Sequence, residues 1–155
     1  MELLDGSVLR VASTCSGLET SIPVFEHTLA ALSERFGVTV KAKHVLSCDS
    51  SQASQDFILA AHADKVQRLV ADCREFQGDS VQCIKHNKRV SIPEADILVS
   101  GPSCANHSAV RRDKSAFVGC LEPEHEAFQQ CESSVTYTSG FKEAAQKMEI
   151  GRAHV

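Results

Sequence analysis

An α/β fold built on a parallel sheet is what the sequence predicts, and three observations predict it. Aliphatic and β-branched runs alternate with longer segments of helical periodicity, in the order strand, helix, strand, helix, strand, connection, strand. One helical segment carries an unbroken apolar face. Each apolar run also breaks off into small or acidic residues, at Cys15-Ser16-Gly17, Asp49, Asp72 and Cys104, as strands of open α/β sheets do at the carboxyl ends where ligands bind.

Each element has its own signal. Ser7 to Ser13 (SVLRVAS) puts Val8, Leu9 and Val11 in a strand-favouring run that meets a small-residue turn, Thr14-Cys15-Ser16-Gly17-Leu18-Glu19-Thr20. From Leu18 the apolar residues recur at Ile22, Phe25, Leu29, Leu32 and Phe36, one face of a helix. Ser21 is the expected N-cap, Pro23 sits in the first turn where its missing N–H costs nothing, and Gly37 stops the helix. Val38 to Ser47 (VTVKAKHVLS) alternates and then closes on Val45-Leu46, a second strand ending in Cys48-Asp49. Gln52 to His62 reads as a helix with Phe57, Ile58 and Ala61 on one face; Val66 to Val70 is a third strand, interrupted by Gln67 and Arg68 and followed by Asp72-Cys73. Phe76 to Pro93, polar and basic at Lys85-His86-Asn87-Lys88-Arg89, is expected to be a solvated connection rather than a nucleic-acid patch. Ile97, Leu98 and Val99 then form a short buried strand entering Ser100-Gly101-Pro102.

Composition bounds the function. The chain has 155 residues, 43% of them hydrophobic, and a net charge of −4, which suits one folded domain and not a free-standing nucleic-acid binder. No window approaches a membrane span and the amino terminus lacks a signal-peptide layout, so an intracellular protein is expected. Seven cysteines without a CxxC pair fit reduced thiols rather than a disulfide framework. Cys73, Cys83 and His86 match no usual zinc spacing, and no metal is expected. Cys104 stands on a backbone stiffened by Pro102 just past a strand end; a buried structural thiol is the plain alternative to a reactive one.

The stretch Ala95 to Ser108 (ADILVSGPSCANHS) resembles the catalytic loop of the cytosine-5 nucleic-acid methyltransferases. In that family a strand ending in an acidic-Ile-Leu pattern runs into Gly-Pro-Pro-Cys and then Phe-Ser; here stand Gly101-Pro102-Ser103-Cys104 and His107-Ser108. The order of strand ends is similar too: a glycine turn, an acid after the second strand, an acid after the third, then the cysteine. The resemblance implies a Rossmann-like S-adenosylmethionine-dependent methyltransferase fold, an incomplete parallel sheet with helices on both faces. It implies Cys104 as the nucleophile, and Cys15, Ser16, Gly17, Leu18, Asp49, Ser50, Asp72, Cys73 and Ser103 around S-adenosylmethionine, with Asp49 on the ribose and Asp72 beside the adenine amino group. Arg111, Arg112 and Lys114 would then touch the phosphates flanking an extruded base.

The resemblance spans about Val8 to Ser108, so 7–108 is expected to be the cofactor-binding and catalytic-loop half of such a domain and 109–149 a divergent or poorly ordered continuation. No Glu-Asn-Val, the family's next motif, occurs in the chain. Residues 150–155 (IGRAHV) are what a common sequencing-adapter string encodes and are expected to be artefactual. DNA is the expected substrate and the nucleus the expected compartment, with transfer RNA, or an inactive cofactor-binding remnant, as the alternatives; the residues name no protein partner.

Overall fold

The computed structural model describes residues 6–101 and 138–150. Strands β1 (Ser7–Thr14), β2 (Val40–Cys48), β3 (Leu69–Val70), β4 (Ser80–Cys83), β5 (Lys88–Ser91) and β6 (Ile97–Ser100) form one sheet in the order β5-β4-β3-β2-β1-β6. The four strands β3, β2, β1 and β6 run parallel, as expected. β4 and β5 do not: they extend the sheet as an antiparallel hairpin where a solvated connection was expected. The sheet is therefore mixed. Each hairpin strand is four residues long, and only Val81 and Cys83 are fully buried, so the period of two never runs long enough to stand out from the charges around it. Lys88 and Arg89 on the outermost strand are what keeps such an edge from pairing further.

Helix α1 (Ser21–Phe36) links β1 to β2, and α2 (Gln52–Ala61) links β2 to β3. Ile22 and Ile58 from these helices meet Val66 and Leu69 on one face of the sheet. Val70, the next residue, points the other way and joins Ala12, Leu46, Val81, Phe76 and Met148. Phe76 comes from a 3-10 helix (Cys73–Gln77), and Met148 follows a π-helical turn (Thr138–Glu143) and α3 (Ala144–Lys147). Helical segments thus cover both faces. The second cover is tied down by Met148 O accepting from Ala95 N at 3.2 Å and by Lys147 reaching Asp79 at 2.7 Å. Ile150, the first residue of the suspected artefact, packs against that same core; 151–155 lie outside the described residues.

Local details depart from the periodicity in instructive ways. The α1 stripe is buried at Ile22 and half-buried at Phe25 and Leu29, but Leu32 and Phe36 are 40% and 46% exposed, because the described residues cover only the first half of the helix. Thr20, not Ser21, occupies the cap position and makes no capping bond; the Ser21 hydroxyl donates to Glu19 instead. At the other end Gly37, with φ 65°, donates to Ser33 O and ends the helix. α2 buries Ile58 and Gln55 while Phe57 is exposed. The third strand shrinks to Leu69–Val70, and Val66 keeps only an isolated bridge to His44. On the far side, Asp96 receives Arg10 N and its guanidinium, and Glu94 takes the guanidinium's other nitrogen, so β6 is clamped to β1 where it starts. No helix among the described residues is long and apolar enough to cross a membrane.

Candidate active site

The carboxyl ends of β1, β2, β3 and β6 open on one edge of the sheet. After β1 the chain turns through Cys15, Gly17 and Glu19, all with φ between 53° and 56°. Two of these are not glycine, and each such residue costs ~1 kcal/mol of backbone strain. The compensation is a buried hydroxyl network. The Glu19 side chain is fully buried and accepts from Ser13 and Ser21; the Ser13 hydroxyl also meets Ser16 Oγ at 2.8 Å, and Ser16 Oγ in turn donates to Cys48 O and accepts from Cys48 N. Through these bonds the turn after β1 is tied to the end of β2. Nothing in the sequence separates Glu19 from a surface glutamate, since that residue type is almost never fully buried.

Asp49 is the second part. Its Oδ2 accepts from Gly17 N at 2.7 Å and its Oδ1 from Ser51 N at 2.9 Å, while Gln55 Nε2 donates to its backbone carbonyl at 2.8 Å. Each oxygen keeps a free acceptor direction, because a carboxylate accepts about four bonds in all. Above Gly17, a Cβ would meet nothing within 4 Å, so the backbone there faces open space. Leu18 and Ser50, both expected at the cofactor, are exposed at the rim of this opening.

Asp72, after β3, is bound differently. It caps the 3-10 helix by accepting from Arg74 N, and its two oxygens receive the Arg74 guanidinium at 2.6 to 2.9 Å. That pairing holds its pKa below the usual aspartate value. Cys73 is half-buried and Cys48 buried; burial, then the charge of Asp72, pushes the Cys73 thiol up, and burial together with Cys73, Cys15, Asp49 and Asp72 pushes Cys48 well up. A thiol raised in this way stays protonated at neutral pH, so neither is a nucleophile.

On the other side of β1, β6 delivers its end to the same edge. Thr14 Oγ1 donates to Ser100 Oγ at 2.8 Å, and Gly101 N donates to Thr14 O at 3.2 Å. A Cβ on Gly101 would stand 3.3 Å from Cys15 O, so glycine lets the two turns close on one another. The structure therefore ties Gly17 to Asp49 and Ser16 to the end of β2, closes Gly101 against Cys15, and leaves Asp72 and Cys73 to follow β3, the strand next to β2. Ser103, Cys104, Arg111, Arg112 and Lys114 lie outside the described residues.

Behind the site, His44 is buried against Phe25, ring centroids 6.1 Å apart, and neither ring nitrogen has a hydrogen-bond partner. Burial lowers its pKa, so the ring is neutral. Cys83 and His86, two of the residues weighed as zinc ligands, do meet at 3.1 Å on the hairpin. Among the described residues no cluster of three or more His, Cys, Asp or Glu side chains converges.

No protein-family profile matches the chain. Over 106 residues, 68% of its length, it is 30% identical to a protein of the fungus Cryptococcus neoformans var. grubii named DNA (cytosine-5-)-methyltransferase DMT5. The matched stretch is 4% of that protein, so the chain spans a small part of its relative. A mixed α/β sheet whose strand ends carry a glycine turn and two acids is compatible with the methyltransferase fold that this similarity implies.

Proposed function

We propose that this chain is the front part of an S-adenosylmethionine-dependent enzyme that methylates carbon 5 of cytosine in DNA through a covalent bond to Cys104. The observation that carries the reading is the direct bond from Gly17 N to Asp49 Oδ2, which joins the glycine turn to the acid of the next strand in a chain similar to a cytosine-5 DNA methyltransferase. The donor set fits the cofactor. Asp49 has acceptor capacity left for a ribose diol, and the open space over Gly17 lets the amino-acid part of the ligand approach backbone amides. Asp72 fits less well as an adenine partner, because Arg74 already occupies both of its oxygens.

S-adenosylmethionine, when bound, supplies a methyl group on a sulfonium, an electrophile. The chain's own contribution is to make cytosine a nucleophile. Carbon 5 is poorly nucleophilic, so in this reading the Cys104 thiolate adds to carbon 6, carbon 5 gains electron density and is methylated, and loss of its proton expels the sulfur again. The duplex base has to be extruded to reach that thiol. Arg111, Arg112 and Lys114 would steady the flanking phosphates. A DNA substrate makes the nucleus the place of work.

Trapping on duplex DNA carrying 5-fluorocytosine tests this, since fluorine cannot leave as a proton does and the adduct persists. Incubated with S-adenosylmethionine, the longest product of the transcript should give a covalent complex that Cys104→Ser abolishes. Trapping on transfer RNA alone would move the substrate to RNA. Cofactor binding with no adduct on either would mark a remnant without activity.

A further inference from the structure

A second concavity, of about 460 Å³, lies at the opposite end of β3 from Asp72. Ile84 N donates to Leu69 O at 2.7 Å, and β4 runs antiparallel to β3, so the hairpin turn comes to rest beside the residues that lead into β3. There Arg68 faces Lys85, His86 and Lys88 across the cavity, with Asp64 the one acidic side chain in the lining. In a chain of net charge −4 this is a local excess of the opposite sign.

The cations are held, not merely present. The Lys85 ammonium donates to the carbonyls of Ala63 and Val66 at 2.6 and 2.7 Å, which fixes its head in the wall and leaves its third N–H. His86 Nδ1 sits 3.1 Å from Cys83 Sγ, which orients the ring and leaves Nε2. The neighbouring Arg89 is spent on Ser80 and Glu75, but neither Arg68 nor Lys88 has a side-chain partner among the described residues. Arg68, Lys85 and Lys88 outnumber Asp64 in this lining, and an anion among them lowers their mutual repulsion.

We propose that this cavity binds a phosphate group, and that its source is the backbone of a nucleic acid far from the reacting base. Convergent donors, an arginine fork among them, suit a backbone phosphodiester, which offers two non-bridging acceptor oxygens and one negative charge. The lining holds no Phe, Tyr or Trp to serve as a stacking platform, so the contact is to the backbone and is independent of sequence. The proposal extends the nucleic-acid reading above but uses none of the cofactor residues.

The test compares the full chain with the Arg68→Gln/Lys88→Gln double variant in binding a short fluorescent duplex over a range of salt. Pyrophosphate and polyglutamate are titrated separately, and S-adenosylmethionine binding is measured on the same samples. The expected result is a loss of about tenfold in duplex affinity, with a slope of log K against log salt shallower by about 1 for each side chain removed. Cofactor binding should not change. Asp64→Asn, which removes the one acid, should tighten the duplex, a gain that misfolding cannot imitate. An unchanged slope in the double variant together with an unchanged affinity in Asp64→Asn overturns the proposal. Loss of pyrophosphate binding alone would replace the nucleic acid by a free phosphate compound as the source. Polyglutamate losing affinity in parallel with the duplex would overturn the phosphate in favour of an acidic protein segment. Failure of cofactor binding in the unmodified chain would count against the methyltransferase reading alone.

Discussion

The turns after β2 and β3 look alike in sequence, an aspartate just past an apolar strand followed by a small residue, yet they are in different electrostatic states. Asp49 is held by two backbone amides and no cation, so its charge is compensated by dipoles and its outer lone pairs stay available. Asp72 is closed by Arg74, a guanidinium on both oxygens two residues along the chain. A carboxylate waiting for a ligand is fixed by fixed dipoles; one serving the fold is neutralised by a mobile charge. In the proposed reading, recognition belongs to the turn after β2, while the turn after β3 caps the 3-10 helix.

Breaking the β2 side should give the largest effect. Asp49→Ala removes the acceptor for Gly17 N and Ser51 N along with the ribose contact, and charged hydrogen bonds of this kind are each worth about 1.5–3 kcal/mol. Affinity for S-adenosylmethionine, read by calorimetry, should fall on the order of 100-fold. Asp49→Asn keeps one acceptor and should fall between. Unchanged affinity in the alanine variant would refute the ribose assignment and with it the asymmetry between the two turns.

Gly17→Ala probes the partner of that bond and should cost less. At φ 55° an added Cβ strains the backbone by ~1 kcal/mol, and no neighbour obstructs it. Thermal unfolding should therefore shift by a few degrees. Cofactor affinity should drop by more than the strain accounts for, because the methyl occupies the open space through which the ligand approaches. A drop matched by the strain alone would place the ligand away from Gly17.

The asymmetry between the turns was only partly legible in the sequence. Strand and helix periods located β1, α1, β2 and α2 to within a few residues, because each is long enough to show its repeat, whereas β6, four residues with none fully buried, was read from the Ile97-Leu98-Val99 run alone. The β4–β5 hairpin escaped: Ser80 to Ser91 buries only Val81 and Cys83, and its basic turn reads as solvent-exposed surface. The pairing of the glycine turn with Asp49 could be anticipated, because a turn and an acid at successive strand ends carry a chemical meaning independent of packing. Glu19 carried no signal in the sequence, although its positive φ is one that glycine adopts most readily. Its side chain turned inward for Ser13 and Ser21, hydroxyls that appear unremarkable until the turn brings them together. Arg74 was in plain view two residues after Asp72, but proximity along the chain does not say whether an arginine folds back or reaches outward.

The smallest effect belongs to Asp72→Asn, and pH sharpens it. Arg74 holds the native carboxyl below its ordinary value of 3.8, so the folded protein binds a proton there less readily than the unfolded chain does. The stabilisation is fully present above the unfolded value and is lost as pH falls through the lower, native one. Both partners are more than a third exposed, so solvent screens the pair and its contribution to stability is small. Denaturant unfolding should show the parent slightly more stable than the variant near neutrality, with the gap closing below the ordinary aspartate range. S-adenosylmethionine affinity should barely change, because Arg74 and not the ligand satisfies both oxygens. A large loss of affinity in Asp72→Asn would mean that the cofactor displaces Arg74, and that the turn after β3 is as much a recognition site as the turn after β2.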